Sequence, residues 1–272
     1  MSGSGARAAI GDLEAARQFV VDTARALDPE SRYVSELLAV VDAARDVGDM
    51  EARLVAGCRG QRHSGADVFA AMSLADKLYA NLITPETALF RFAEGELEAV
   101  EALLSGASGG RPLDVLIVPC SHGEEAFTVA AHLLGRGARF GIRAFDLQPT
   151  LIDEALTGRL TFGYPPEYLA SPGYVGAEVL ERIRFEVGDA FALPLDDADA
   201  FDLVMCRNFL GYFVPERAVE LARGLAARVR GGGVIVVDGF CLGKFAQLAS
   251  ALEETGLRRK TGHPVFVRGL GA

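Results

Sequence analysis

Short apolar runs separated by helix-length amphipathic stretches predict an α/β protein: a mostly parallel sheet with an antiparallel C-terminal edge, preceded by an all-α N-terminal domain. From about Asp12 to Leu104 the chain is rich in Ala, Leu and Glu, and its apolar residues recur at helical period. Beyond a Gly/Ser-rich stretch, SGASGGRP at 105–112, the pattern changes to strand-like runs that alternate with helices, as parallel strands joined by helical crossovers require. The domain boundary is placed in that stretch, giving 1–108 as a helical domain and 109–272 as the α/β domain.

Within the first block Leu13, Ala16, Phe19, Val20 and Thr23 share one helical face, as do Leu37, Leu38, Val41, Ala44 and Val47. Asp28-Pro29, the polar GCRGQRHSG at 57–65 and Thr84-Pro85 punctuate the block as helix stops or starts. The last helix of the block is predicted to begin at Pro85, with Thr84 as its cap, and to reach Leu104. In the second block the apolar runs are Val115 to Val118, Ile142 to Phe145, Ile183 to Val187, Leu203 to Cys206, Val234 to Val237 and Val265 to Val267. Glu124 to Leu134, Leu151 to Leu156 and Glu216 to Val229 read as the helices between them. Leu257 to Lys260 and Pro264 to Arg268 flank only Thr261-Gly262-His263, which predicts an antiparallel hairpin at the sheet edge. Gly231-Gly232-Gly233 reads as a helix C-cap that delivers the fifth strand.

Composition narrows the function classes. The 272 residues carry 27 basic against 37 acidic side chains, net −10, the wrong sign for a protein that tracks nucleic acid through bulk charge. No apolar run approaches the ~18 residues of a spanning helix, so membrane insertion is not expected. The N-terminus, MSGSGARAAIGDLEAARQF, lacks the apolar core of a signal peptide. The four cysteines, Cys58, Cys120, Cys206 and Cys241, stand singly with no CxxC pair, which points to a reduced, cytoplasmic protein and to no bound metal.

The first strand of the α/β block runs into LDVLIVPCSHGEEAFTVAAHLL, a turn with one glycine, Gly123, opening a helix. Such a turn sets backbone N–H groups beside a ligand at the carboxyl ends of the strands. With a single glycine it is no GxGxxG fingerprint, and an ordinary βα turn with acids favouring a helix N-terminus is the alternative.

The wider sequence is more specific. CSHGEEAFTVA resembles the CSTGEEPYSLA signature of the CheR-type methyltransferases, agreeing at Cys120, Ser121, Gly123, Glu124, Glu125 and Ala130. PETALFRFAEGELEAVEALL is similar to the family's NETxFFRE segment at Thr87, Phe90 and Arg91. RAFDLQPTLIDEALTGRLTFG resembles its ASDID…LEKAR…G stretch, centred on Asp146. FDLVMCRNFLGYF resembles FDxIxCRNVxIYF at Phe201, Asp202, Cys206, Arg207, Asn208, Tyr212 and Phe213. These matches fall in the family's order over about residues 81 to 240.

The resemblance implies a class I methyltransferase (Rossmann-like) fold and S-adenosyl-L-methionine as cofactor, with S-adenosyl-L-homocysteine as product. It further implies methyl transfer to glutamates of bacterial chemoreceptors. Asp146 is expected to bind the ribose hydroxyls, or else to cap the helix at Pro149. Gly123 is expected to bind the cofactor in the turn and Glu124 to face its methionine end, Glu124 otherwise serving only the helix dipole. Asp189 and Ala190 are expected beside adenine, a solvated loop acid being the alternative for Asp189. Thr87 and Arg91 lie four apart and share a helix face, which the resemblance puts at the cofactor and substrate end. Arg207, Asn208 and Tyr212 follow the fourth strand, where the resemblance places the transferred methyl; Tyr212 otherwise serves the core. Arg91 and Tyr212 are the expected catalytic residues.

Several departures bear on the acceptor. Pro85, Leu89 and Phe92 stand where the family pattern has Asn, Phe and Glu, and His122 replaces its Thr. Between Gly158 and Phe185 the chain is shorter than the family's β-subdomain, which in some members docks on receptor tails. The expected acceptor is a protein carboxylate of chemoreceptor type. Another protein, a small molecule, or a non-catalytic module that only binds the cofactor are the alternatives.

Overall fold

The computed structural model describes residues 10–27, 32–57, 66–82, 96–104, 110–159, 169–171, 174–196, 198–260 and 262–269. Contacts divide the chain into two compact units, Met1–Glu86 with Tyr212–Val214, and Thr87–Gly211 with Pro215–Ala272. The first unit contains the helices α1 (Leu13–Ala26), α2 (Arg32–Ala43), α3 (Val47–Gly57), α4 (Ala66–Ala71) and α5 (Leu74–Leu82). Asp12 caps α1 by accepting the Ala15 N–H at 2.7 Å. The apolar stripe read from the sequence turns inward at Ala16, Val20, Leu37 and Val41, all buried. Lys77, also buried, meets Glu51 at 2.8 Å and so keeps an ion partner inside the unit.

The second unit opens with α6 (Glu96–Leu104) and continues with β1 (Leu113–Ile117), α7 (Glu124–Gly135), β2 (Phe140–Asp146) and α8 (Pro149–Leu156). A small hairpin of β3 (Leu169–Ser171) and β4 (Tyr174–Val175) and the short α9 (Ala177–Leu180) lead to β5 (Ile183–Val187). Then come β6 (Phe201–Cys206), α10 (Pro215–Ala226), β7 (Val229–Val237), α11 (Gly239–Lys244), α12 (Ala246–Glu254), β8 (Leu257–Arg259) and β9 (Val265–Arg268). The main sheet has the order β5-β2-β1-β6-β7-β9-β8, parallel from β5 to β7 and antiparallel at β9 and β8. This is the mostly parallel sheet with an antiparallel C-terminal edge that the sequence predicts.

Alternation along the strands sends Val115, Ile117, Leu203, Met205, Val234 and Val236 into one core with Val100 and Leu104 of α6 and with Val129, Ala130 and Leu133 of α7. Leu116, Val204 and Ile235 are as deeply buried on the alternate positions. Both faces are therefore covered, as a parallel sheet requires.

Two expectations change. The division between units falls upstream of the Gly/Ser-rich stretch, because Val100 and Leu104 pack on the sheet and α6 goes with the α/β unit. The triple glycine does not cap a helix: α10 ends at Ala226, and 231–233 lie inside β7 where its register against β6 shifts. A Cβ on Gly233 would stand 2.9 Å from the carbonyl oxygens of Arg230 and Asp202, so the glycine allows the irregularity. The start of the helix expected at Pro85 lies outside the described residues.

Candidate functional site

Carboxyl ends of adjacent parallel strands converge on one edge of the second unit. β1 leads through Val118-Pro119-Cys120 into the turn at Ser121 to Gly123, and α7 begins at Glu124. Gly123 has φ +92°, and a Cβ there would meet the rings of Phe127 and Phe185 at 2.8 and 2.9 Å. Only glycine fits both the left-handed backbone and the closeness of this ring pair, whose centroids are 5.6 Å apart. Ser121, with a side chain, is also left-handed at φ 50°. Its N–H donates to Asp146 Oδ2 at 2.9 Å, while Asp146 Oδ1 accepts the Gln148 N–H at 3.0 Å. Asp146 is 6% exposed. An ionised carboxylate offers about four lone-pair sites, so clamping the turn and meeting a diol are compatible roles.

A matching arrangement closes the neighbouring strands. Asn208, after β6, is left-handed at φ 54°, and its N–H donates to Asp238 Oδ2 at 2.9 Å. Asp238, just past β7, also accepts the Cys241 N–H at 2.6 Å and thereby caps α11. In each case the acid at the end of one strand holds the strained residue at the end of its neighbour.

The remaining expected residues fall as follows. Glu124 and the substituting His122 are wholly buried, and Ser121 Oγ lies 3.2 Å from His122 Nδ1. Arg207 is half-buried, with its side chain 8% exposed; its guanidinium meets Glu125 at 3.1 Å and Glu96 at 3.6 Å, tying β6 to α7 and α6. Asn208 is exposed. Asp189 and Ala190 are half-buried in the loop after β5, where Asp189 Oδ1 accepts the Phe191 N–H at 2.9 Å and the Arg217 guanidinium covers the Phe191 ring at 3.9 Å. Tyr212 is half-buried and groups by contacts with the first unit. Thr87 and Arg91 lie outside the described residues. Asp238, Gln148 and Glu96 were not singled out from the sequence. For Asp238 the signal was present, since VVDGF ends a strand on an acid as RAFD does.

Burial pushes the thiols of Cys120, Cys206 and Cys241 well up, reinforced by Asp146 at the first and Asp238 at the other two. They are protonated at neutral pH and offer no thiolate nucleophile. Among the described residues no group of three His, Cys, Asp or Glu side chains could hold a metal ion, and no helix is long and apolar enough to cross a membrane.

The chain is similar in sequence to named methyltransferases. One relative, 30% identical over 174 residues, is named "Probable biofilm formation methyltransferase WspC", from Pseudomonas aeruginosa; the match covers 57% of this chain and 41% of the relative. A second, a "Chemotaxis protein methyltransferase" of Listeria innocua, is 27% identical over 157 residues, 53% of this chain and 58% of the relative. The chain thus spans less than two thirds of these relatives' lengths. Among solved structures, a TehB-like SAM-dependent methyltransferase from Corynebacterium glutamicum is 19% identical, covering 61% of this chain and 84% of that one, with a TM-score of 0.38. The profile of the CheR methyltransferase, SAM binding domain, matches residues 86–239, from the segment before α6 to just past Asp238. With more than half its length inside that match, the chain belongs to the CheR methyltransferase SAM-binding-domain family.

Proposed function

We propose that this chain is an S-adenosylmethionine-dependent O-methyltransferase that esterifies a carboxylate, the acceptor being a glutamate side chain of a cytoplasmic, chemoreceptor-like protein region. One arrangement carries the reading: the buried Asp146 carboxylate at the end of β2, bonded to the Ser121 turn from which α7 starts. The residues present fit the cofactor. An acid at this strand end suits a ribose diol, the glycine turn opens a helix N-terminus toward the same edge, and Gln148 adds a buried amide oxygen that accepts no hydrogen bond. Asp146, Asp189 and Ala190 would hold the nucleoside, and Gly123 and Glu124 the methionine end. Arg207, through Glu125 and Glu96, would fix the turn that carries Asn208. Thr87, Arg91 and Tyr212 enter the proposal from the sequence alone, Arg91 and Tyr212 as donors that orient the acceptor.

Bound S-adenosylmethionine supplies an electrophilic methyl group on a sulfonium. A glutamate with a reference pKa of about 4.3 is already ionised at neutral pH, so the chain needs no general base. Its work is to align the carboxylate oxygen with the methyl and to exclude water. A different protein or a small molecule as acceptor is the second reading. It is favoured by the slight build between Gly158 and Phe185, whose described residues form a two-stranded hairpin and one short helix. Incubation with methyl-labelled cofactor and a glutamate-rich receptor fragment separates the readings. Label on the fragment that alkali releases as methanol is expected; alkali-stable label, or none on the fragment, contradicts the glutamate ester.

A further inference from the structure

The last strand of the main sheet, β8, carries Arg258 and Arg259 and runs directly into Lys260, and all three residues are exposed. Among the described residues none of the three meets a carboxylate. Elsewhere in the same unit Arg111, Arg143, Arg217, Arg223 and Arg230 each form an ion pair. Glu254, at the end of α12, pairs with Arg223 and leaves the β8 cations alone. On a chain with 27 basic against 37 acidic side chains, this row is a local reversal of sign. Neighbouring like charges repel, and an anionic partner relieves that repulsion. A charge on an edge strand discourages unwanted pairing, but that task does not need three consecutive cations free of carboxylates.

The sheet gives the row a direction. β9 is antiparallel to β7 and to β8, so β8 runs parallel to the strands whose carboxyl ends form the candidate site. Arg258 and Arg259 lie opposite Val267 and Phe266, and the Lys260 N–H donates to the Val265 carbonyl at 2.8 Å. Val265 in turn lies opposite Val236, close before Asp238. The row therefore climbs to the edge of the sheet that holds Asp238 and Asn208. Four strand spacings of about 4.8 Å, about 19 Å, separate β8 from β1, a gap that about six residues of extended chain cross at about 3.3 Å each. We propose that Arg258, Arg259 and Lys260 dock an acidic, extended segment of the acceptor protein, about six residues along that protein from the glutamate presented at the site. The assignment rests on the glutamate acceptor proposed above and names what the acceptor must carry beside that glutamate. Single exposed ion pairs contribute little, whereas several in a row set partner choice and encounter rate.

Fluorescence anisotropy tests this with a labelled peptide of alternating Glu and Ser and its Gln-for-Glu counterpart. The proteins are wild type, the triple variant Arg258→Gln, Arg259→Gln, Lys260→Gln, and Arg182→Gln, which removes an exposed cation beside the opposite edge strand β5. Wild type is expected to bind the Glu peptide and not its counterpart, and to lose affinity as salt rises from about 50 to about 500 mM. The triple variant is expected to keep the wild-type thermal midpoint and to bind the peptide at least about tenfold more weakly, with Arg182→Gln unchanged. In methyl transfer to the glutamate-rich fragment the triple variant should raise KM and leave kcat alone. No binding of the peptide to wild type, equal affinity in the triple variant, equal binding of the Gln peptide, or preference of the row for a single-stranded oligonucleotide or an anionic lipid vesicle overturns the proposal. Peptide binding is read without turnover, so the two readings fail separately. If the fragment is esterified with the same KM in the triple variant, only the docking row fails; if the row binds the peptide and no glutamate is esterified, the acceptor reading fails and the acidic-segment surface stands.

Discussion

Ser121 and Asn208 hold left-handed backbone at the ends of adjacent strands, a conformation that costs a residue with a side chain about 1–3 kcal/mol. Each is paid for by a carboxylate on the next strand, Asp146 for Ser121 and Asp238 for Asn208. Both acids were visible as strand-end residues, in RAFD and in VVDGF. That they hold Ser121 and Asn208 was not legible, because it depends on β2 lying beside β1 and β7 beside β6, pairings that local sequence does not encode. At the opposite end of the strands Asp202 is buried beneath Arg111 and Arg230 and accepts the Asp114 N–H. Burial alone would raise its carboxyl; hydrogen bonds from Arg111 and the Asp114 amide, with the charges of Arg230 and Arg111, outweigh burial and hold it below the usual range. A lowered folded-state pKa contributes stability that is present above the unfolded value, about 3.9, and is lost as pH falls through the folded value. Asp202→Asn is therefore expected to cost about 1–3 kcal/mol at pH 7, with the gap to wild type narrowing below about pH 4. Urea unfolding across this range checks it, and a gap independent of pH would contradict it.

β7 illustrates what periodicity reads well and what it misses. Its apolar half, Val234 to Val237, was visible as a buried run, whereas Val229 to Gly233 was not recognised as strand, since glycines ordinarily weaken one. Tertiary packing decides otherwise: the register of β6 on β7 shifts there, and Gly233 lies against backbone carbonyls on two sides. Gly233→Ala is expected to cost about 1–3 kcal/mol, because backbone atoms rather than flexible side chains must give way. Gly224→Ala, on the exposed side of α10 with open space around the Cβ, is expected to stabilise by about 0.5–1 kcal/mol. Denaturation midpoints of the two variants should move in opposite directions; shifts of the same sign would contradict the packing assigned to β7. The antiparallel pairing of β8 with β9 was legible, because a short polar turn between the two runs leaves little choice of connection.

For the chain as a whole, the alternation of strands with helices was enough to give the parallel sheet and its antiparallel edge. It did not give the division between units, because α6 resembles the helices before it in composition and is assigned to the sheet only by where Val100 and Leu104 pack. The net charge of −10 set a prior on partners and left the site unspecified; the site was read from a few strand-end residues. The central claim, that this edge of the sheet is a cofactor pocket organised by Asp146, is tested most directly by calorimetric titration with S-adenosylhomocysteine, which needs no acceptor. Micromolar binding, about −8 kcal/mol, to wild type and a loss of at least tenfold in a folded Asp146→Ala variant is the result expected; equal affinity in the two proteins, or no binding to wild type, would contradict it.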